Sequence, residues 1–438
     1  MKQKILKSIF IIIILFTAKN IQSQDYLEQN SGVTTRLNSV CLTPNSYSFR
    51  VWICGNNGVV LKTTNEGMNW INVSGSGIPD TVDLVNIFSV DTNLAVTAGY
   101  SNFSTSVYRT SNTGISWQRV FEQQGGFINA IWMKNRNEGF MYGDPVGNRW
   151  SLWKTSNGGI NWDSSGMNLK QTGSETGWNN SLYIKTNEIW FGTNNYRIYH
   201  STDFGNVWTF ITVNEPNTYA IWFSTAWDPS NLYGYRGSSN IYKTSNGGIS
   251  WAMMNCPGSG RFSGICTGIH GSPSLPPPPV VSYAVRSDNH IYQSIYMDDW
   301  TIDYTAPSGN YTHVGINLLI PYYNWAIRSD GGITRIQTSY AGIKNKGSEI
   351  PKHFSLSQNY PNPFNPVTFI NYQLAVTDQV KLVIYDVLGS VIEVLVNEKQ
   401  TPGTYEAEWD GTNYPSGVYF YKLITADYTE TRKMVLIK

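Results

Sequence analysis

Thr155-Ser-Asn157-Gly-Gly159-Ile-Asn-Trp162 is one copy of a phrase that organises most of this chain. The same phrase reads Thr63-Thr-Asn65-Glu-Gly67-Met-Asn-Trp70, Thr110-Ser-Asn112-Thr-Gly114-Ile-Ser-Trp117 and Thr244-Ser-Asn246-Gly-Gly248-Ile-Ser-Trp251. A fifth copy, Ser201-Thr-Asp203-Phe-Gly205-Asn-Val-Trp208, carries Asp where the others carry Asn, and a worn one ends at Trp300. Successive tryptophans stand 47, 45, 46, 43 and 49 residues apart, a period that suits a four-stranded blade and not a helical repeat. The residues are those of a hairpin. The Asn or Asp side chain bonds the turn's own backbone, the Gly takes positive φ, and the Trp opens the next strand.

Alternating sequence such as Val59-Val-Leu61-Lys or Asn240-Ile-Tyr242-Lys precedes the phrase, and short runs such as Val51-Trp-Ile-Cys or Ile189-Trp-Phe come earlier still. Each unit therefore reads as four strands, and units begin near Val33, Leu84, Phe127, Gly177, Thr218, Phe262 and Tyr311. The seventh, ending near Ile343, lacks a closing Trp strand. Asp25–Gly32 resembles the stretches that follow Trp elsewhere, so it is expected to supply the missing outer strand and close a ring, which hides sheet edges. The fold class is all-β: a seven-bladed propeller, followed by a small immunoglobulin-like sandwich.

The repeated phrase resembles the Asp-box, or bacterial neuraminidase repeat. Its setting from Gly55 to Trp70 is similar to propellers of the photosystem II assembly and stability factor type, over roughly residues 25–345. The resemblance implies the propeller, but not one function: Asp-box propellers include sialidases, other glycosidases, sortilin-type receptors and assembly factors. In either residue form, Asn65, Asn112, Asn157, Asp203 and Asn246 are read as structural, together with their glycines and tryptophans.

Among 438 residues, 31 Lys+Arg balance 30 Asp+Glu, for a formal net charge of +1, and only 14% are charged. That excludes a strongly basic nucleic-acid binder and a solvated acidic chain. Lys2, Lys4 and Lys7 precede the apolar run Ile9–Phe16, and Ser23 follows. This reads as a secretory signal peptide over residues 1–23, the run being too short to span a bilayer. No later segment is long enough to cross. Export would place the cysteines where disulfides persist, and the expected pairs are Cys41–Cys54 and Cys256–Cys266, against buried free thiols.

After a polar linker (345–352) the text changes. Gln358-Asn-Tyr-Pro-Asn-Pro-Phe-Asn-Pro366 leads into period-2 strands at Thr368–Leu374, Val380–Tyr385, Val391–Val396, Thr404–Trp409, Val418–Ile424 and Arg432–Ile437. With Ile384-Tyr-Asp-Val-Leu-Gly389, Trp409-Asp-Gly411, Ser416–Tyr421 and Lys433–Lys438, residues 353–438 resemble the type A sorting domain of the type IX secretion system. The resemblance implies the type IX machinery as a partner, and delivery through the periplasm to the medium or outer surface.

Chemistry on the propeller is sparse. No nucleophile elbow, phosphate loop, His-Glu-x-x-His or calcium loop occurs, the five histidines have no metal spacing, and no cofactor is implied. Ligands of propellers meet the axial mouth formed by second-to-third-strand loops and blade connections. Arg236 and Arg286 stand eight residues before Thr244 and Ser294, and Arg328 lies in a similar phrase of the last unit. They are expected to present guanidiniums there for a carboxylate or phosphate, the competing reading being pairing with a local carboxylate such as Asp288 or Asp330. Asp144, Arg149 and Trp178 are further mouth candidates. A glycosidase would need two carboxylates, for which Asp144 and Glu175 are the pair. A sialidase is disfavoured because its Arg-Ile-Pro phrase is absent and its propeller has six blades. Ser272–Pro279 is a stiff segment, read as a rigid loop in preference to a docking ligand. These residues predict a non-enzymatic platform binding a protein, peptide or glycan, with a secreted glycoside hydrolase as the alternative.

Overall fold

The local turn chemistry recurs in five clear copies, and the propeller region folds into seven antiparallel sheets. The structure, a computed structural model, describes residues 24–43, 50–224, 232–269, 280–295, 297, 299–316, 323–338, 351, 353–412 and 414–438. The expected signal peptide, the Ser272–Pro279 segment and nearly all of the linker lie outside them. The innermost strands of the blades are Leu37–Leu42, Asp83–Ser89, Ile128–Met133, Gly177–Lys185, Ala220–Ser224, Phe262–Ile269 and Tyr311–Ile316. Residues from all seven line one axial cavity, so the sheets form a ring. Six blades are four-stranded. The third has three strands, and its outer segment is reduced to a bridge between Lys154 and Asp163.

The repeated hairpin is built as its residues dictate. In the second blade the Thr110 hydroxyl donates to Asn112 Oδ1 (2.9 Å) and accepts the Gly114 N–H (3.0 Å), while Asn112 Oδ1 accepts the Ser116 N–H (3.0 Å). Gly114 sits at φ +83°, where a side chain would be strained and would also strike Val73. The copies at Asn65, Asn157 and Asn246 repeat this pattern. Asp203 differs only in charge: the Val207 N–H is the main cause that holds its carboxyl below the usual range, against partial desolvation. Neutral and charged acceptors thus close the same turn. Thr110→Val leaves the buried Gly114 N–H without an acceptor and is expected to cost about 1–3 kcal/mol in urea unfolding. Asn112→Asp should be nearly neutral in the same measurement.

Two sets of contacts join the blades. On the mouth side, side chains at or near bulges of the inner strands reach the start of the next: Thr312 to Leu37 O (2.6 Å), Asn38 to Leu84 O (2.7 Å), Asn86 to Ile128 O (2.8 Å) and Ser181 to Thr218 O (2.7 Å). On the hairpin side, the basic residue just before the turn's Thr reaches into the next blade. Lys62 donates to Thr113 O, Arg109 to Gly158 O (2.6 Å), Lys154 to Asn206 Oδ1 (2.7 Å) and Lys243 to Met297 O (3.2 Å). Arg335 of the last blade likewise reaches Glu66 O of the first (3.2 Å). Hairpin tryptophans fill the seams, as Trp117 does edge-on against Trp52 and Trp300 against Tyr235.

Ring closure rests on Gln24–Gln29, which pairs antiparallel with Ile333–Thr338 as the outer strand of the seventh blade. Glu28 accepts two bonds from the buried Arg328 (3.0 and 2.6 Å), one from Thr334 (2.6 Å) and one from Tyr304 (3.1 Å). Tyr26 stacks on Tyr304 and bonds Asp303. Gln29 Oε1 accepts from both Trp325 and Trp70, while its amide donates to Glu66 O. This segment therefore holds three consecutive blades: sixth, seventh and first.

The C-terminal part is a sandwich of two sheets, Ser355–Leu356 with Val367–Leu374 and Gly403–Asp410, and Val391–Gln400 with Asp378–Tyr385, Gly417–Ile424 and Thr429–Leu436. Its own core gathers around Trp409, Tyr372, Tyr421 and Leu382. Strand alternation is clear in Val367–Leu374 and Gly403–Asp410, where buried and half-buried residues alternate.

The expected disulfides are absent: all four cysteines are free. A bulge between Leu37 and Ser39 sets the register, so Cys41 lies opposite Trp52, and Cys54 opposite Ser39. The two thiols are therefore diagonal. Cys266 faces Tyr283 within the sixth blade. Burial pushes the Cys256 thiol up to about 12, and it raises those of Cys41, Cys54 and Cys266 as well.

Candidate functional site at the axial mouth

The three arginines expected to meet at the mouth are instead buried separately, each in its own blade. Arg236 is 0% exposed; its guanidinium lies 4.0 Å from the Tyr242 ring centre and donates to Asn214 (2.8 Å). Its Nε and Nη1 have no hydrogen-bond partner, and desolvation lowers its pKa to about 10. Arg286 lies over Phe262 and donates to the carbonyls of Gly260, Pro257 and Ser239, closing the blade connection. Arg328 belongs to the Glu28 latch, with Asp330 at 3.5 Å. None is presented to a ligand. The reason is positional: each lies at or next to the end of a second strand, where a long side chain folds into the blade seam.

The proposed carboxylates each have partners of their own. Glu175 is 0% exposed and is closed off by Arg197 (2.5 Å) and Tyr199 (2.7 Å). Asp144 accepts from Asn129 (2.8 Å) and from the Gly177 N–H (2.8 Å), tying the third blade to the fourth, and burial raises its pKa. Both carboxylates are thus taken up in hydrogen bonds that join strands and blades. Arg149 is exposed and spends one bond on Met167 O (2.9 Å). Among the described residues no cluster of His, Cys, Asp and Glu could hold a metal, and no helix is long and apolar enough to cross a membrane.

What the mouth does gather was not singled out from the sequence. The residue just before each inner strand's first ladder pair forms the rim. In the first blade it is Arg36, before Leu37 opposite Gly55; in the sixth it is Arg261, before Phe262 opposite Arg286. In the fifth it is Tyr219, before Ala220 opposite Gly237. Arg36 and Arg261 are exposed and close enough to repel: burial, and then the Arg261 charge, lower the Arg36 pKa. Among the described residues neither has a carboxylate partner; Arg36 bonds only Asn38 (3.0 Å). Arg261 sits 5.8 Å from the Tyr219 ring, which in turn packs 4.5 Å from Trp178. Trp178 is thus the one expected mouth residue that takes part. The signal for the others was their shared place before an inner strand, visible only once the ladders are known.

Trp178 begins an enlarged bulge. Four residues, Trp178–Ser181, stand opposite Gly192 alone, between the pairs Gly177–Thr193 and Leu182–Phe191. The extra length crosses the axis: Asn180 accepts from Ser39 (3.2 Å) and donates to Asn38 O (3.2 Å), and Asn179 donates to Val85 O (2.8 Å). The fourth blade thereby plugs the channel against the first and second. The mouth is a shallow dish floored by amides and rimmed by two unpaired guanidiniums and an aromatic pair.

No curated protein matches the chain. Among solved structures, YCF48 from Cyanidioschyzon merolae is similar in fold, with 15% identity and a TM-score of 0.55 over 71% of this chain and 98% of that one. A structure described as YCF48 bound to D1 peptide is similar at 13% identity and a TM-score of 0.54, over 72% of this chain and 97% of that one. These likenesses concern the propeller fold alone. Residues 358–438 match the family described as the secretion system C-terminal sorting domain. The chain thus joins a propeller to a sorting tail of the kind that marks a protein for secretion or the cell surface.

Proposed function

We propose that the mature protein is a non-enzymatic recognition platform, exported by the type IX machinery, whose mouth binds an extended segment of another protein through a carboxylate. The observation that carries this reading is the Arg36–Arg261 pair. Two guanidiniums that repel each other, without a protein carboxylate, form a site that an incoming anion stabilises. Trp178 and Tyr219 offer a tilted aromatic pair beside them, the combination of anchor and charge common in recognition sites. The YCF48 fold, solved with a peptide bound, supports the choice of a peptide over a glycan.

Peptides ending in a free carboxylate and their amidated counterparts, selected on the immobilised mature chain, test the reading. Arg36→Ala/Arg261→Ala is expected to weaken the carboxylate series about tenfold or more, with k_on falling as salt rises. Thermal stability should be unchanged, since both side chains are exposed. Equal binding of amidated peptides, or an unaffected double variant, would discard the site. Turnover of fluorogenic glycosides, a sialoside included, by the mature chain would replace the platform with a hydrolase.

A further inference from the structure

Behind the Asn179–Asn180 plug the seven inner strands enclose a cavity of about 380 Å³, within the range of small-molecule sites. Its walls are aliphatic and aromatic. Phe88, Trp132, Ile184 and Trp222 are half-buried where the inner strands end on the hairpin side. The polar lining lies at the other, plugged end. There Ser39 donates to Asn180, and Asn180 in turn donates to Asn38 O. His313 does not follow that pattern. Its Nδ1 accepts the Val40 N–H (3.2 Å), so in the neutral ring the proton sits on Nε2. Burial holds the ring neutral, its pKa lowered to about 4. Among the described residues no group accepts from Nε2–H, and the ring lines the cavity.

We propose that the axial cavity is a second binding site, separate from the mouth, for a small uncharged apolar molecule carrying one hydrogen-bond acceptor, which His313 Nε2–H would engage. Apolar walls supply affinity in proportion to the area they cover, and the His313 ring N–H fixes orientation. A charged ligand is disfavoured because, among the described residues, no charged side chain lines the cavity. The plug separates this site from the dish, so the two can be occupied independently.

Two neutral fluorophores of naphthalene size test this on the full mature chain. Prodan carries a ketone acceptor, and N-phenyl-1-naphthylamine has no comparable one. Both are expected to bind saturably, one per chain, with blue-shifted emission. His313→Leu should weaken prodan about tenfold and leave phenylnaphthylamine within about twofold. Leu182→Trp, which fills the cavity, should weaken both about tenfold. If that variant fails to fold, Ile184→Trp tests the same volume. Absence of saturable binding to the wild-type chain overturns the proposal. So does prodan binding indifferent to His313→Leu, or probe binding that survives a folded filling variant.

Discussion

Glu28→Ala is expected to be among the most damaging single substitutions in the propeller. The carboxylate accepts four bonds, two of them from Arg328, whose side chain is 4% exposed. Removing it strands a buried guanidinium, a change that typically costs about 3–5 kcal/mol. The loss falls on the strand pair that closes the ring, so it should appear as local opening before global unfolding. Hydrogen exchange at Ile333–Thr338 should accelerate, the melting temperature should drop, and proteolysis should begin near Glu28. Glu28→Met with Arg328→Met should recover much of the loss, because no buried charge is stranded and the partly exposed Asp330 keeps its bonds from Ser308 and the Gly332 N–H. Unchanged exchange in Glu28→Ala would mean that the other contacts of the strand, at Tyr26 and Gln29, suffice to hold it.

Truncation before Gln358 carries the second large effect. The sandwich has its own core, and the propeller clusters draw on residues no later than Ile336. The propeller should therefore fold without the tail and keep its melting temperature, while export falls to background. Fractionation of the producing cell is the measurement, and the truncated chain should accumulate in the periplasm. Substituting Trp409 in the sandwich core, where it packs with Phe364, Tyr414 and Tyr419, should reproduce the export defect. Export of the truncated propeller at wild-type levels would remove the tail's assigned role.

Local chemistry made much of this fold readable before any coordinates. The Thr-x-Asn-x-Gly turn carries its own hydrogen bonds, so its five clear copies identified five hairpins without reference to neighbours. The early strand was legible because it resembles the outer strands it replaces. The candidate site was not legible for the opposite reason. Whether Arg236 faces solvent or a seam depends on Tyr242 and the carbonyls around it, and those positions follow from blade packing. The failed Cys41–Cys54 pair has the same origin, since one bulge at Asn38 sets which residues face each other. The four-residue bulge at Trp178–Ser181 has no compositional mark, yet it divides the axis into two compartments.

The antiparallel pairing of Gln24 with Thr338 puts both ends of the disc at one point on its circumference. The propeller's earliest strand completes the propeller's last sheet, so until Ile333–Thr338 has emerged the strand Gln24–Gln29 has no partner. A circular permutant that starts before Leu37 and appends Gln24–Ser31 after Thr338 through a tight turn would convert that long-range pairing into a hairpin. It should refold faster than the parent at similar stability, because its closure no longer waits on the two ends of the chain finding each other.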